Sequence, residues 1–434
     1  MKNTARKPRP TEATRPRLRA VLGGAARDAQ LALDLGDLMR RDLREFVITA
    51  GTAALAMVLE RERTDIVGPR YAHLPIRHAH RAGSAPGELV MGGRRVRVRR
   101  PRARTIDNHE VELPSWAAFA VEDPLHERAV EQMLVGVSTR RYARSLEPLS
   151  DNVVERGTSR SAVSRRFVAA TETQMAEWLG RDLGAIELAV LMIDGVVIAE
   201  HVLLVALGID TDGKKHVLGV REGATENAAS CTGLITDMRE RGLHTDRTVL
   251  AVIDGSKALA KAIRDVFGGR ALIQRCQAHK SRNVLDQLPE NVRPSVKQAL
   301  RYAYVTGDAV RAKRLLSNLA RRLRDDHPGA AASLVEGLDD TLTVKRLELP
   351  SQLERLLSTT NAIENLMGSV RDLTRRVKRW RDGQMIVRWT VTAVSDAARR
   401  FRRVTGARDG MHKLVHALER HEERSGGSTR PLAA

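Results

Sequence analysis

The stretch Ala189-Val190-Leu191-Met192-Ile193-Asp194-Gly195-Val196-Val197-Ile198 sets the architecture. It is one apolar run, interrupted once by Asp194-Gly195, and its length suits a buried strand. Beyond it, Val202 to Ile209 predicts a second strand, Asp210-Thr211-Asp212-Gly213 a turn, and His216 to Val220 a third strand. Glu226 to Gly242 predicts a helix closed by glycine. Thr248 to Ile253 predicts a buried strand ending in Asp254-Gly255, followed by a helix over Ser256 to Phe267 and a fifth strand over Ala271 to Arg275. A three-strand meander followed by helix, strand, helix and strand is an α/β sheet. From about Asn283 to Arg424 the pattern is helical.

Two carboxylates stand out against this frame. Asp194 sits within apolar residues, where an unpaired carboxylate is costly, so it should be paired, protonated or bound to a cation. Asp254 closes a buried strand with the same grammar: apolar run, Asp, Gly. Ligands in α/β sheets gather at the carboxyl ends of strands. Two aspartates there can converge on one cation, and hard oxygen ligands favour Mg2+ or Mn2+. For Asp212-Gly213 the plain turn reading is the better one. A third carboxylate comes from Leu356 to Lys378, which reads as one helix with Ile363, Leu366, Met367, Val370 and Leu373 as its apolar stripe. Beside the stripe runs a polar row of Asn361, Glu364, Gly368, Arg371 and Arg375. That row places a candidate ligand, Glu364, next to phosphate-binding charge.

The chain has 434 residues, enough for two to four domains. Lysine and arginine total 73 against 53 acids, a net charge of +20. Such a surplus attracts polyanions. Aromatic residues are only 3%, which disfavours single-strand recognition by stacked rings and leaves arginine contact to duplex phosphates. Only two cysteines, Cys231 and Cys276, occur, so no disulfide framework is expected. No apolar run reaches the length of a membrane span, and no apolar segment follows the basic N-terminus as a secretory signal requires. The expected compartment is the cytoplasm.

Upstream, residues 1–25 read as a basic disordered leader, and 28–63 as two helices carried by Leu31, Leu35 and Leu38, then Phe46, Ile48, Ala53, Leu55 and Leu59. Glu88 to Met91, a Gly92-Gly93 turn, and Val96 with Val98 predict a β-hairpin. Its second strand carries Arg94, Arg95, Arg97, Arg99, Arg100, Arg102 and Arg104, seven arginines in eleven residues with no acid among them. That density exceeds what protection of an edge strand needs and points to DNA contact. Residues 125–180 read as helical. Gly136 to Tyr142 and Gly157 to Phe167 each suggest a glycine turn, a capping hydroxyl and an arginine-rich helix. The second, with Arg160, Arg165 and Arg166, is the better candidate for a recognition helix. His73, His78 and His80 read as surface histidines.

The order and spacing of several short stretches resemble the mutator-type DDE transposases of bacterial insertion sequences. They are Met192-Ile193-Asp194-Gly195, Gly223-Ala224-Thr225-Glu226-Asn227, Arg241-Gly242-Leu243, Val252-Ile253-Asp254-Gly255, Gln274-Arg275-Cys276-Gln277-Ala278-His279-Lys280 with Asn283, and Thr359-Thr360-Asn361-Ala362-Ile363-Glu364. The 109 residues between Asp254 and Glu364 leave room for the helical insertion of that family. The resemblance spans roughly residues 30–420. It implies Asp194, Asp254 and Glu364 as a catalytic triad on a ribonuclease-H-like core, an order the predicted strands also follow. It implies Mg2+, with Mn2+ as a substitute, and metal-dependent strand cleavage followed by strand transfer. Implied partners are double-stranded DNA, as terminal inverted repeats and as target, and at least a second copy of the chain; a membrane is not among them. Cys276 and His279 match the family's cysteine-x-x-histidine signature. By their chemistry they are half a zinc site without the other half, and they stay outside the expected metal shell. The alternatives are a domesticated, non-cleaving DNA-binding regulator and an RNA-processing nuclease of the same fold.

The expected organisation is therefore a leader (1–25), a mainly helical DNA-binding region with a β-hairpin (26–180), the first part of the core (181–282), an all-α insertion (283–350), C-terminal core helices with Glu364 (351–425) and a tail (426–434). Expected DNA contacts beyond those above are Arg371, Arg375, Arg376 and Lys378.

Overall fold

A computed structural model describes residues 43–72, 78–91, 94–121, 126–134, 136, 137, 139, 141–145, 155, 156, 159–223 and 228–426. It divides into two compact units, one ending at Ala170 and one beginning at Thr171. The leader, the tail beyond Gly426, the helix predicted from Leu31 to Leu38, Gly92-Gly93, His73, Ser138, Arg140, the turn Gly157-Thr158 and most of Gly223 to Asn227 fall outside the described residues.

In the first unit a single helix, α1 (Leu43–Val67), covers the second of the two predicted helices. The hairpin is longer than its apolar alternation suggests: β1 (Ala79–Met91) pairs antiparallel with β2 (Arg94–Thr105), and Met91 lies opposite Arg94. Leu55 and Leu59 of α1 bury against Leu89, Val98, Leu113 and Trp116. Arg63 and Arg81 both pair with Glu60, and Arg63 also donates to the Gly83 carbonyl at 2.8 Å, which fixes α1 on the bulged part of β1. Gly87 is required where it stands, because a Cβ there would meet the Trp116 ring at 2.5 Å.

Two short strands, β3 (Glu110–Val111) and β4 (Glu155–Arg156), pair with the free side of β2. The arginine-rich strand is thus paired on that side only at its ends, at Arg95-Val96 and Ala103-Arg104. The all-helical reading of residues 125–180 needs correction. After α2 (Pro114–Val121), α3 (His126–Leu134) and α4 (Tyr142–Ser145), the chain supplies β4 before α5 (Arg160–Gly180). Glu155-Arg156 carries no apolar alternation, and the pairing comes from the open hydrogen-bonding edge of β2 at Arg95 and Val96.

The second unit is built on five strands: β5 (Leu188–Ile198), β6 (His201–Asp210), β7 (Lys215–Gly223), β8 (Val249–Ile253) and β9 (Ala271–Arg275). Their order is β7-β6-β5-β8-β9; the first three are antiparallel, and β8 and β9 run parallel to β5. β5 is buried on both faces from Leu188 to Ile193, which explains the apolar run before Asp194. One face (Leu191, Ile193, Ala251, Ile253) packs on α6 (Ala228–Glu240) and α7 (Lys257–Phe267).

Helices α8 (Gln277–Asp286), α9 (Arg293–Val305), α10 (Ala309–Leu323) and α11 (Pro328–Val335) share a core of their own around Leu300, Leu316 and Leu334. The chain returns through α12 (Thr343–Arg346) and α13 (Ser351–Leu357) to α14 (Asn361–Thr374), α15 (Gly383–Ala398) and α16 (Ala407–Gly426). The other face of the sheet (Val190, Met192, Val196, Val252) packs on Ile363, Leu366, Met367 and Val370 of α14 and Ile386 and Val391 of α15. Each such side chain contributes about 1.5–3 kcal/mol by burial. Among the described residues no helix is long and apolar enough to cross a membrane.

Candidate active site

Side chains alternate along a strand. Asp194 therefore shares the face of Met192 and Val196, and Asp254 continues the face of Leu250 and Val252. That is the face covered by α14, the helix that carries Glu364. β5 and β8 are parallel neighbours with Met192 opposite Val252, so both aspartates lie at one level of the sheet.

Asp194 is half-buried, and its Oδ1 accepts the Gly195 N–H at 2.9 Å. Burial pushes its carboxyl above the usual range; the nearby Asp254 and Glu364 carboxylates push it the same way, against the Gly195 N–H and His279. The Asp254 Oδ1 accepts the Ser256 N–H at 2.8 Å, and Ser256 caps α7 through the Leu259 N–H. Gly255 has φ +113°, and a Cβ there would come within 2.4 Å of Arg275 Nε. Gly255 thus answers a close approach of Arg275 as well as a turn. Asp212-Gly213 is the plain turn expected, with Gly213 at φ +78° and Asp212 beside Lys214.

The predicted helix over Leu356 to Lys378 is two helices and a turn. α13 ends at Leu357, α14 begins at Asn361 and ends at Thr374. The break has a tertiary cause: the Ser358 carbonyl accepts the Gln277 N–H at 2.9 Å, and the Thr360 N–H is directed at Cys276 Sγ at 3.4 Å. Both groups are drawn out of a helical ladder. Continuing past Thr374 would stack Arg371, Arg375, Arg376, Lys378 and Arg379 on successive turns, where like charges repel. Glu364 consequently stands in the first turn of α14, half-buried, accepting the Thr360 hydroxyl at 2.7 Å on Oε1. His279 Nδ1 lies 3.7 Å from the same oxygen.

The run from Gln274 to Lys280 divides by direction. Gln274, Gln277 and Lys280 dock the returning chain: Gln274 and Gln277 both donate to the Thr341 carbonyl at 2.9 Å, and the buried Lys280 donates to the Ser333 and Glu336 carbonyls. Arg275 joins them through the Glu336 carbonyl at 2.9 Å. Cys276 and His279 face the other way, and the ligand atoms of Cys276, His279 and Glu364 lie within 4.8 Å of one another. Burial would raise the Cys276 thiol, but hydrogen bonds from His279 and Thr360 outweigh it and hold it below its usual pKa. The bond to Cys276 raises His279 against desolvation, with Glu364 and Asp254 adding to the rise. The sequence alone left Cys276 and His279 apart from the carboxylates and gave Thr360 no role. The signal for Thr360 was its place at the start of the helix bearing Glu364.

Among the expected DNA-contacting residues, Arg97 and Arg99 are exposed on one face of β2. Arg100, Arg102 and Arg104 lie on the other and converge on Glu110, Arg102 at 2.7 Å. Arg102 in turn holds the Glu110 carboxyl down at about 2. The backbones of Arg94 and Arg95 belong to β2. Arg160 and Arg165 are exposed on α5 and Arg166 is half-buried, beside the buried Val163 and Phe167. Arg371 is exposed in the last turn of α14; Arg375, Arg376 and Lys378 are exposed beyond its end.

Residues 29–404 match the family described as Transposase, Mutator family. The chain is 30% identical over 251 residues to the transposase of insertion sequence element IS6120 of Mycolicibacterium smegmatis, covering 56% of this chain and 75% of that one. It is 28% identical over 344 residues to that of ISRM5 of Rhizobium meliloti (76% and 81%), and 25% identical over 366 residues to that of IS905 of Lactococcus lactis (82% and 90%). With a match that runs from α1 through the sheet, the helical segment and α14, the chain belongs to the Mutator family of transposases.

Proposed function

We propose that the chain is a DDE transposase that binds the terminal inverted repeats of an insertion sequence, cleaves them and transfers the strands to a target. The observation that carries this reading is that Asp194 and Asp254 stand level on one face of the sheet, with Glu364 on the helix that covers that face and close enough to act on the Asp194 carboxyl. The strand order favours a ribonuclease-H-like core.

The three carboxylates are hard oxygen ligands, a donor set suited to Mg2+ and to Mn2+, and Asp254 and Glu364 disfavour an uncompensated negative charge on Asp194. Held by Asp194, Asp254 and Glu364, such ions would supply activation of the attacking oxygen and neutralisation of the leaving one. The chain's own part is to hold the carboxylates at fixed positions: Gly195 N–H on Asp194, Ser256 N–H on Asp254 and the Thr360 hydroxyl on Glu364. Arg371 offers a cation to the phosphates of the strand being cut. Arg97 and Arg99 suit the backbone of double-stranded DNA, and the arginines of α5 suit the repeat itself. Joining two ends calls for at least two copies on DNA. The test is a donor plasmid in which the DNA flanking this coding region brackets a marker, incubated with the purified chain and Mg2+. Breaks at the outer ends leaving 3′-hydroxyls support the reading; intact ends with the chain bound to them contradict cleavage.

A further inference from the structure

Thr360 immediately precedes α14 and is 1% exposed. A threonine there ordinarily spends its hydroxyl accepting a backbone N–H of the helix it caps. This one makes no such bond. Its Oγ1 lies instead 2.7 Å from Glu364 Oε1, 3.3 Å from His279 Nδ1 and 3.3 Å from Cys276 Sγ. A hydroxyl has one proton, and the shortest contact is to the one carboxylate. The hydroxyl is therefore assigned as donor to the Glu364 carboxylate; its oxygen accepts from the imidazole when Nδ1 carries a proton, and the Thr360 N–H is the donor that remains for Cys276 Sγ. Cys276 anchors the assembly from below: its own N–H donates to the carbonyl of Ile253, the residue before Asp254, at 2.7 Å, and its Sγ faces the Thr360 N–H at 3.4 Å. A continuous path thus runs from the strand of Asp254 through Cys276 and Thr360 to Glu364.

We infer that Thr360 is a positioning residue for Glu364: its hydroxyl, backed by His279 and Cys276, pins Oε1 and leaves Oε2 for the cation. This deepens the reading of Glu364 as a metal-binding carboxylate and rests on it. The clustering of Cys276, His279 and Glu364 could also suggest a site for a soft metal such as zinc. The Thr360 oxygen is within 3.3 Å of an atom of each of the three, so the same side chains already share a partner that is not a metal. Partners that orient a metal ligand are worth about 10–100-fold in metal affinity.

The experiment compares the full chain with Thr360→Val, Thr360→Ala, Thr360→Ser and, as a control for the underlying reading, Glu364→Gln. Three quantities are measured: Mn2+ binding by calorimetry, the Mg2+ concentration that half-saturates cleavage of a supercoiled donor, and binding to a duplex carrying the element end. Thr360→Val and Thr360→Ala should weaken Mn2+ binding and raise the half-saturating Mg2+ about tenfold or more, with end binding unchanged. Thr360→Ser, which keeps the hydroxyl, should restore both. If the valine variant does not fold, the alanine and serine pair carries the comparison. Wild-type metal dependence in Thr360→Ala, with Glu364→Gln inactive, overturns the inference alone. Equal loss in the serine and alanine variants overturns it too, since packing would then be the cause. One zinc per purified chain, lost in Cys276→Ser, overturns it in favour of a soft-metal site. Full cleavage by Glu364→Gln overturns the reading beneath it.

Discussion

Asp194, within β5, and Asp254, just past the end of the parallel neighbour β8, stand level, each two residues beyond the paired Met192 and Val252. Past that level the two strands diverge. β8 stops at Ile253, whereas β5 runs on to Ile198 with Asp194 opposite Val205 of β6. Asp194 is thus held by a neighbour on one side only, and on the side of β8 its carboxylate meets the turn that begins with Asp254. Burial and the facing carboxylates make this a place where negative charge is expensive until a cation arrives.

The arginines of β2 should differ by face. Arg97 and Arg99 are exposed, whereas Arg100, Arg102 and Arg104 are turned toward Glu110. Alanine at Arg97 or Arg99 should weaken binding to every duplex and flatten the dependence of affinity on salt by about one ion per residue. Glu110→Gln should do the reverse, raising affinity and steepening the slope. Unchanged slopes in titrations from low to moderate salt would remove this strand from the DNA contact.

Arg371 lies seven residues beyond Glu364 on α14, about 10 Å along the same face. Arg371→Glu should reduce binding of cleaved ends several-fold and leave Mn2+ affinity unchanged, because an arginine cannot ligate a cation. Arg375 follows the end of the helix and lies 3.8 Å from Asp372, so reversal there should cost less. Loss of Mn2+ binding in Arg371→Glu with normal end binding would show a disturbed helix instead.

Burial, aided by Arg275, brings Lys280 down to about 8, against about 10.4 for an exposed lysine. Between those values the unfolded chain binds a proton here that the folded chain does not. Stability should therefore rise with pH across that window; below it both states are charged and the cost of burying the ammonium stands in full. Lys280→Met should lose this slope, and by orphaning the Ser333 and Glu336 carbonyls it should destabilise by about 1–3 kcal/mol at pH 7. Urea melts of both proteins from neutral pH to pH 10 measure the difference, and parallel curves would refute it.

The sheet was legible because β8, most of β6 and the first half of β5 are buried on both faces. Ala189 to Ile198 and Thr248 to Ile253 have no reason to be so apolar elsewhere, and an aspartate at the same place in each marks itself. The apolar stripe of α14 was legible for the same reason. Its ends were not: the spacing of Leu356 to Leu373 continues across Ser358 to Thr360, and only contacts with Cys276 and Gln277, some eighty residues away, break the helix there. Glu110 was invisible as the partner of three arginines because the turn of β2 into β3 brings it back across the sheet. Thr360 was invisible because a hydroxyl before a helix has an ordinary explanation, and only geometry shows that it is used otherwise.

The proposal that strand cleavage depends jointly on the three carboxylates is tested most directly on a supercoiled donor bearing both element ends, incubated with Mg2+ and Asp194→Asn, Asp254→Asn or Glu364→Gln. Each variant should bind the ends with wild-type affinity and cut neither strand. Wild-type cleavage by any one of them would remove that residue from the site and with it the convergence on which the proposed chemistry depends.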